Sequence, residues 1–322
     1  MPFLNSRFRK PSITRLAIVS TVIGVLTACG TVVFQQEESR LVFRVDRDMP
    51  GWYTGMPDGV QEFDLPVSAA PDAQRIHAWW WPAASGKPDA PAILYLHGAR
   101  WSLTGQLFRI EELRDFGFSV LAIDYRGFGK SDGKMPTEKT AYEDAHVAWK
   151  WLVARQPDPA RRYIYGHSLG GAVAVDLAAS LSGGDGASTA RPPAAGLIVE
   201  SSFTSLEDMA KALTYPWLPV GLLLSQKFDS VDKMAKVRLP VLVVHGAADR
   251  IVPARFSEAL YDAAAGPKKL LLIDGGTHNN SMRTGALQYR RALAELFGLG
   301  AAHAARILPS RRRAGVAGGL GP

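Results

Sequence analysis

The sequence predicts an α/β fold: a mostly parallel β-sheet with helices on both faces, an antiparallel hairpin in front of it and only a small cap segment. Six short apolar runs are separated by stretches that include segments with helical spacing. Runs without in–out alternation are typical of strands covered on both faces, and alternating strands and helices indicate a parallel sheet. The six runs cover residues 91–98, 118–127, 161–168, 195–202, 240–246 and 268–275. Functional side chains are expected at the carboxyl edge of such a sheet.

The elements around the six strands are predicted from turn signals and spacing. VQEFDLPVS (60–68) and RIHAWWWPA (75–83) flank a turn-forming segment and form the antiparallel hairpin. The polar residues 35–48 read as a connector into the first strand. Between Ser202 and Pro240 there is room for two or three short helices. Their apolar stretch 213–225 either lines an acyl-binding groove or packs on the sheet.

The first 34 residues predict a signal or membrane anchor. The basic segment SRFRKPSITR is followed by an uncharged run, which is the order of a secretory signal. LTAC resembles the lipobox of bacterial lipoproteins, with Cys29, the single cysteine of the chain, as the lipidated residue. Alternatively, residues 16–34 form an uncleaved single-pass anchor, since they are uncharged and about long enough to cross a bilayer. Both predict membrane attachment through the N-terminus, with the body exported to the periplasm or cell envelope.

The net charge of +7 lies at the two ends of the chain. Residues 1–29 and 301–322 each carry four basic and no acidic residues, so the rest is close to neutral. No nucleic-acid partner is therefore expected. One catalytic domain is predicted over 35–300, followed by a disordered basic tail over 301–322.

The pentapeptide GHSLG (166–170) lies where an apolar strand gives way to a helix. A sharp turn there pushes the hydroxyl of Ser168 clear of the sheet, and the turn closes only if Gly166 and Gly170 are small. Ser168 also lies at a helix N-terminus, which favours negative charge. The segment predicts a nucleophile elbow.

A serine nucleophile needs a base and a carboxylate that orients the base. Asp249 follows the strand predicted over 240–246, and His278 follows the one over 268–275. Both therefore belong to the edge that carries Ser168, in the chain order serine, aspartate, histidine. Asp249 could instead cap the helix that begins near Pro253, and Glu200 is a rival acid.

Three other histidines also end strands, so the choice of His278 needs a reason. His278 is preferred because it alone comes after Asp249, in a glycine-rich loop after the last strand; the others are His97, His167 and His245. The oxyanion of the reaction needs two N–H donors. Leu169, directly after the nucleophile, is predicted to supply one and Ala99, after the strand ILYLHG, the other.

These motifs resemble the alpha/beta-hydrolase superfamily over most of 41–300. The resemblance is carried, in order, by LYLHGA, LAIDYRGFGKSDG, IYGHSLGGAVA, ESSFTSLEDMA, PVLVVHGAADRIVP and GGTHNN. More narrowly, ESSFTS, YPWLPV, FDS and THN are similar to a nearly lidless, membrane-anchored branch that includes depalmitoylases and lysophospholipid hydrolases. The resemblance implies that DYRGFGKSDG, with Asp124 and Arg126, is a structural turn near the pocket.

Metal and nucleotide sites are not predicted. The sequence has no metal-binding histidine motif, cysteine cluster or glycine-rich phosphate loop after a strand, so no metal or other cofactor is expected. A serine at the elbow also disfavours dehalogenases and epoxide hydrolases, which use an aspartate there.

The predicted function is a serine hydrolase that cleaves carboxylic ester or thioester bonds through an acyl-enzyme. The expected substrate is a small-molecule or lipid-like acyl ester. A serine peptidase remains an alternative, because the same triad cleaves amides. A non-catalytic envelope protein that keeps the fold for interactions is the other alternative.

Overall fold

The computed structural model describes residues 33–46, 48, 50–183, 192–213 and 219–299. Eight strands form one sheet in the order β1-β2-β4-β3-β5-β6-β7-β8. The strands are β1 (Gln61–Pro66), β2 (Arg75–Trp81), β3 (Ala92–Leu96), β4 (Ser119–Ile123), β5 (Arg162–His167), β6 (Gly196–Glu200), β7 (Val241–Gly246) and β8 (Lys268–Ile273).

The strand directions confirm the predicted α/β sheet. β1 pairs antiparallel with β2 as the predicted hairpin, and β2 pairs antiparallel with β4. The other five pairings, from β4 to β8, are all parallel. All six predicted runs form strands, and the inner ones are buried along their whole length, which explains their lack of alternation. Of these six strands, only β8 is partly exposed, because it is an edge strand.

Helices cover both faces of the sheet. One apolar layer contains residues of α3, α4 and α8, and the other contains residues of α2 and α10. The described helices are α1 (33–43), α2 (Leu103–Asp115), α3 (Glu138–Arg155), α4 (Leu169–Gly183), α5 (Leu206–Leu213), α6 (Val220–Leu223), α7 (Ser230–Met234), α8 (Ala254–Ala263), α9 (Ser281–Thr284) and α10 (Ala286–Phe297), with a 3₁₀ turn at Pro159–Arg161.

The connector predicted at 35–48 is wrong over most of its length, because residues 33–43 are helical. Glu38 of α1 accepts hydrogen bonds from the amides of Ser225 (2.9 Å) and Gln226 (3.0 Å), beyond the cap helices. Phe43 is fully buried against Phe128 and Phe228. The helix is thus held by partners far along the chain.

The cap is as small as predicted: α5 and α6 are short, and α7 follows directly. Leu213, Leu222 and Leu223 of its apolar stretch are exposed, so over these residues the stretch neither packs on the sheet nor is enclosed. The predicted anchor with Cys29, except for its last two residues, and the predicted tail lie outside the described residues. Within the described ranges, no helix is both long enough and apolar enough to cross a membrane.

Candidate active site

The elbow, residues 166–170, joins β5 directly to α4. Ser168 has a φ of +54°, a strained conformation for a residue with a side chain. A Cβ on Gly170 would lie 2.1 Å from the carbonyl oxygen of Leu96, and one on Gly166 would lie 2.1 Å from that of Gly170. The two glycines therefore allow backbone to approach backbone here, and the turn leaves the Ser168 side chain half-buried at the sheet edge.

The backbone of Ser168 is tied to the end of β6. Its amide donates to the carbonyl of Glu200 at 2.9 Å. Its carbonyl accepts from the amide of Gly171 at 2.9 Å and from the hydroxyl of Ser202 at 2.8 Å. These three hydrogen bonds hold the strained residue in place.

Asp249 and His278 come together on neighbouring loops, after β7 and β8. Nδ1 of His278 donates to Oδ2 of Asp249 at 2.8 Å, so Nε2 is the unprotonated nitrogen of the neutral ring. Oδ1 of Asp249 accepts from the amides of Ile251 (2.8 Å) and Val252 (3.0 Å). Burial alone would raise the pKa of Asp249, but hydrogen bonds from His245 and His278 outweigh it and hold the pKa well below its ordinary value. Asp249 is therefore a carboxylate at neutral pH.

Two of the three other histidines that end strands, His245 and His97, are buried and make further hydrogen bonds. Nε2 of His245 donates to the carbonyl of Val252 at 2.9 Å and lies 3.4 Å from Oδ2 of Asp249. Nδ1 of His97 donates to the carbonyl of Gly98 at 2.6 Å, and burial lowers the pKa of His97 to about 4. Both rings are fully buried. The geometry therefore gives Asp249 a partner in His278 and keeps these two rings from solvent.

His167, the residue before Ser168, contacts His278. Nε2 of His167 donates to the backbone carbonyl of His278 at 2.9 Å, and the two rings lie 4.8 Å apart. Within the described residues, the hydroxyl of Ser168 makes no hydrogen bond to the His278 ring. Such bonds are often long in unliganded enzymes and tighten when substrate binds.

Leu169 lies in the elbow, and Ala99 follows Gly98, which packs against Ser168. Leu169 begins α4, and Gly98 is so close to Ser168 that a Cβ on it would lie 3.1 Å from the Ser168 Cβ. Among the described residues, neither the amide of Leu169 nor that of Ala99 donates to another backbone group. Both amides therefore lack a backbone acceptor there, as the predicted oxyanion role requires.

The loop that carries Ala99 is fixed from both sides. Arg100 in this loop has a φ of +87°. Its backbone amide donates to the carbonyl of Phe43 (2.8 Å), and its backbone carbonyl accepts from the amide of Asp46 (2.7 Å). On the other side, the amide of Leu103 donates to Oδ1 of Asp124 at 2.9 Å. Asp124 thus has the structural position implied for DYRGFGKSDG.

Glu200, the rival acid, is buried away from the His278 ring. Its carboxylate lies 3.4 Å from Nη2 of Arg109 and accepts from the hydroxyl of Tyr165 at 2.6 Å. Sequence reasoning missed Arg109, which is fully buried in α2. Its spacing could have revealed its burial but not its partners, because it follows the helical interval of the other buried positions Gln106, Ile110 and Leu113.

The described part of the chain contains a groove outside the candidate site but no metal-site geometry. It holds no group of three or more His, Cys, Asp or Glu side chains arranged to bind a metal ion. A groove of about 910 Å³ lies between α1, the first half of α3 and residues 225–226, and it contains none of the predicted site residues.

Comparisons with known proteins agree with this fold. A family model described as serine aminopeptidase, S33, matches residues 87–226 and 221–281. The chain belongs to this alpha/beta-hydrolase family. An uncharacterized protein of Mycobacterium tuberculosis is 36% identical over 82% of this chain and 88% of its own length. The lysophosphatidylserine lipase ABHD12 of Danio rerio is 33% identical over 64% of this chain and 55% of its own length.

Solved structures of other hydrolases have the same fold. The esterase Pf2001 of Pyrococcus furiosus superposes with a TM-score of 0.60 at 20% identity, over 80% of this chain and 97% of that one. Est1E from Butyrivibrio proteoclasticus, with ferulic acid bound, gives a TM-score of 0.54 at 22% identity, over 73% of this chain and 99% of that one. At these identities the likeness shows the fold alone.

Proposed function

We propose that the protein is a serine hydrolase that cleaves carboxylic ester or thioester bonds of acyl substrates through an acyl-enzyme. One observation carries the proposal. The strained, half-buried Ser168 directly precedes a helix at the edge of the sheet, and the same edge holds His278 hydrogen-bonded to the carboxylate of Asp249. This is the arrangement that a weak oxygen nucleophile needs.

In the proposed reaction, Ser168 attacks the acyl carbon and its proton passes to Nε2 of His278. Asp249 stabilises the imidazolium through Nδ1–H. The carbonyl oxygen of the substrate becomes an oxyanion that the amides of Leu169 and Ala99 stabilise by about 3 kcal/mol each. Collapse breaks the bond to the leaving alcohol or thiol, which takes the proton from His278. Water then attacks the acyl-enzyme by the same steps and releases the acid.

The choice of an acyl ester rests on the relatives. ABHD12 is by name a lipase of lysophosphatidylserine, and the structural neighbours include esterases. A lipid-like ester would suit the exposed leucines of the cap, Leu213, Leu222 and Leu223, which lie between β6 and β7 in the chain. We therefore propose small-molecule or lipid-like acyl esters as substrates.

The direct test is labelling of the full-length chain by a fluorophosphonate together with hydrolysis of p-nitrophenyl esters. Ser168→Ala should abolish labelling and lower kcat by about 10⁶-fold, as for loss of a serine nucleophile generally. Ser180→Ala, at an exposed position of the same helix, is the matched control and should keep both. Labelling that survives in Ser168→Ala would refute the assignment.

A serine peptidase is the second candidate, because the matching family model is described as a serine aminopeptidase. The same triad would cleave an amide, with the amine as leaving group. Side-by-side kcat/KM values for an ester, a thioester and an aminoacyl amide with one acyl group decide between the two. A preference for the amide would overturn the ester proposal while leaving the triad intact.

We also propose that the protein is attached to a membrane through its N-terminus and faces the exported side. The proposal rests on the basic-then-apolar order and the LTAC segment of the sequence. Cys29→Ala should release a lipoprotein from the membrane fraction and prevent incorporation of labelled fatty acid. A helical anchor would be unaffected by the substitution.

A further inference from the structure

A buried ion pair lies beneath the candidate site. The guanidinium of Arg109 in α2 and the carboxylate of Glu200 at the end of β6 are 3.4 Å apart, and both side chains are fully buried. Apolar residues of similar size commonly stabilise a core as well as or better than a buried ion pair. Stability alone is therefore a weak reason for this pair, and its contacts suggest another.

Arg109 binds the histidine loop, residues 274–280 between β8 and α9. Its Nη2 donates to the backbone carbonyl of His278 at 3.0 Å, and its Nη1 lies 3.4 Å from that of Asn279. His167 donates to the same His278 carbonyl. Two donors, one of them a buried cation, thus fix the backbone of the residue whose ring faces Asp249.

Glu200 connects the histidine loop to the elbow. Oε1 accepts from the hydroxyl of Ser281, directly after the loop, at 2.6 Å. Oε2 accepts from the hydroxyls of Tyr165 and Tyr289. The backbone carbonyl of Glu200 accepts the amide of Ser168 at 2.9 Å. One residue therefore contacts both sides of the site.

The protonation states suit these contacts. Burial alone would lower the pKa of Arg109, but the Glu200 carboxylate outweighs it and keeps the pKa above its ordinary value. Burial first, and then the Glu200 charge, raise the pKa of Tyr165 and Tyr289 well above the ordinary value, so both stay donors. The carboxylate thus has one cation and three hydroxyl donors around it.

We propose that Arg109 and Glu200 are positioning residues that hold the histidine loop at a fixed distance from the elbow, so that the His278 ring stays aligned with Ser168 and Asp249. The inference rests on the proposed serine-hydrolase function. The planar fork of the guanidinium matters, because it reaches two successive carbonyls and a carboxylate at once, which the single ammonium group of a lysine does not.

The test uses two variants of the full-length protein that keep the buried charges balanced. Arg109→Lys retains the cation but loses the fork, and Ser281→Ala removes one tie between Glu200 and the histidine loop. Asp144→Asn is the control: it weakens a different ion pair, between the buried Asp144 and the half-buried Arg126 at 2.6 Å, whose contacts do not include the histidine loop. Fluorophosphonate titration counts active sites, so kcat is expressed per folded, reactive protein.

Arg109→Lys should lower kcat by about 10- to 100-fold with little change in KM, because a small misplacement of a catalytic group has effects of that size. The pH profile of its kcat/KM should also differ from that of wild type, since the hydrogen bond between His278 and Asp249 would be weakened. Ser281→Ala should show the same changes at roughly 3- to 10-fold in kcat. Asp144→Asn should lower the Tm and leave the pH profile unchanged.

Wild-type kcat and pH profiles in both variants, with only a lower Tm, would overturn the positioning role and leave the proposed function standing. Absence of Ser168-dependent labelling in the wild type would overturn both. If Arg109→Lys does not fold, Ser281→Ala decides alone, since it introduces no buried charge.

Discussion

The elbow and the histidine loop meet at one edge of the sheet but are held there in different ways. At the elbow, glycines bring backbone against backbone: a side chain at Gly166 or Gly170 would overlap a carbonyl group. The histidine loop is held instead by side chains, with Asp249 on the His278 ring and Arg109 on its carbonyl. The first is a matter of shape and the second of hydrogen bonding and charge.

This difference predicts how each side fails. Closely packed backbone segments cannot move apart without disturbing the strands and helix they belong to, so an added methyl group at Gly166 or Gly170 should destabilise the fold. A hydrogen-bonded loop can lose one partner and keep its overall path, so substitutions there should damage catalysis more than folding. The predictions below test that division, beginning with the largest expected effect.

Asp249→Asn should lower kcat by about 10⁴-fold while the protein stays folded. An asparagine can donate as well as accept, so the His278 ring would no longer be held with its proton on Nδ1. The measurements are kcat/KM for an ester substrate and the Tm of the same preparation. Asp262→Asn, at an exposed position of α8, is the control and should match wild type. Activity near wild type in Asp249→Asn would mean that another acid, such as Glu200, orients the ring.

Gly170→Ala should lower the free energy of unfolding by about 3 kcal/mol or prevent folding, because its Cβ would lie 2.1 Å from the Leu96 carbonyl oxygen. Gly183→Ala, at the end of the same helix, meets nothing within 4 Å and should be neutral or stabilising by up to about 1 kcal/mol. Denaturant unfolding of the two variants measures the contrast. Equal stability would show that the elbow is softer than a backbone-packed turn.

The same contrast explains what the sequence could predict. The elbow is encoded within five consecutive residues, and the buried strands are encoded by uninterrupted apolar runs, so both are readable locally. The loops of Asp249 and His278 were predictable from their place after strands of a parallel sheet. Ser168, Asp249 and His278 could be assigned from their order along the chain, without knowing which atoms they contact.

The support of the histidine loop was not predictable in this way. Arg109 and the His278 carbonyl are 169 residues apart in sequence, and the pairing leaves no pattern in either segment. Helix α1 was missed for a similar reason: its buried Glu38 looks like a solvent-exposed acid until its partners at Ser225 and Gln226 are seen. Local patterns indicate burial of apolar residues, whereas buried polar residues depend on partners that only the fold brings together.

The loop after β3 is held by a buried carboxyl group, and the stability that this group contributes should depend on pH. Asp124, which holds this loop through the Leu103 amide, is buried, and burial raises its pKa to about 7. Its proton is bound more tightly in the folded than in the unfolded protein, so its contribution to stability is present below about pH 4 and declines as the pH rises to about 7. Asp124→Asn removes that decline.

The stability of wild type relative to Asp124→Asn should therefore fall as the pH is raised from 5 to 8. A change of about 2–3 kcal/mol, or a shift of roughly 5–10 °C in the Tm difference between the two proteins, is expected. Burial lowers the pKa of the neighbouring His97 to about 4, so its ring stays mostly neutral in the folded protein over this range. His97 is present in both proteins, so its contribution cancels in the comparison. A Tm difference that is constant with pH would show that burial does not raise the pKa of Asp124 in the folded protein.

The smallest effect is expected at Ser202, whose side chain holds the backbone of Ser168 in the elbow. Its hydroxyl donates to the Ser168 carbonyl at 2.8 Å, but that carbonyl also accepts from the Gly171 amide. Ser202→Ala should therefore lower stability by about 1 kcal/mol and change kcat only a few-fold. Paired with Ser281→Ala it compares one hydroxyl on each side of the site: the loss at Ser202 should appear mainly in the Tm and the loss at Ser281 mainly in kcat. The reverse result would mean that the elbow, and not the histidine loop, is the side of the site that depends on side-chain hydrogen bonds.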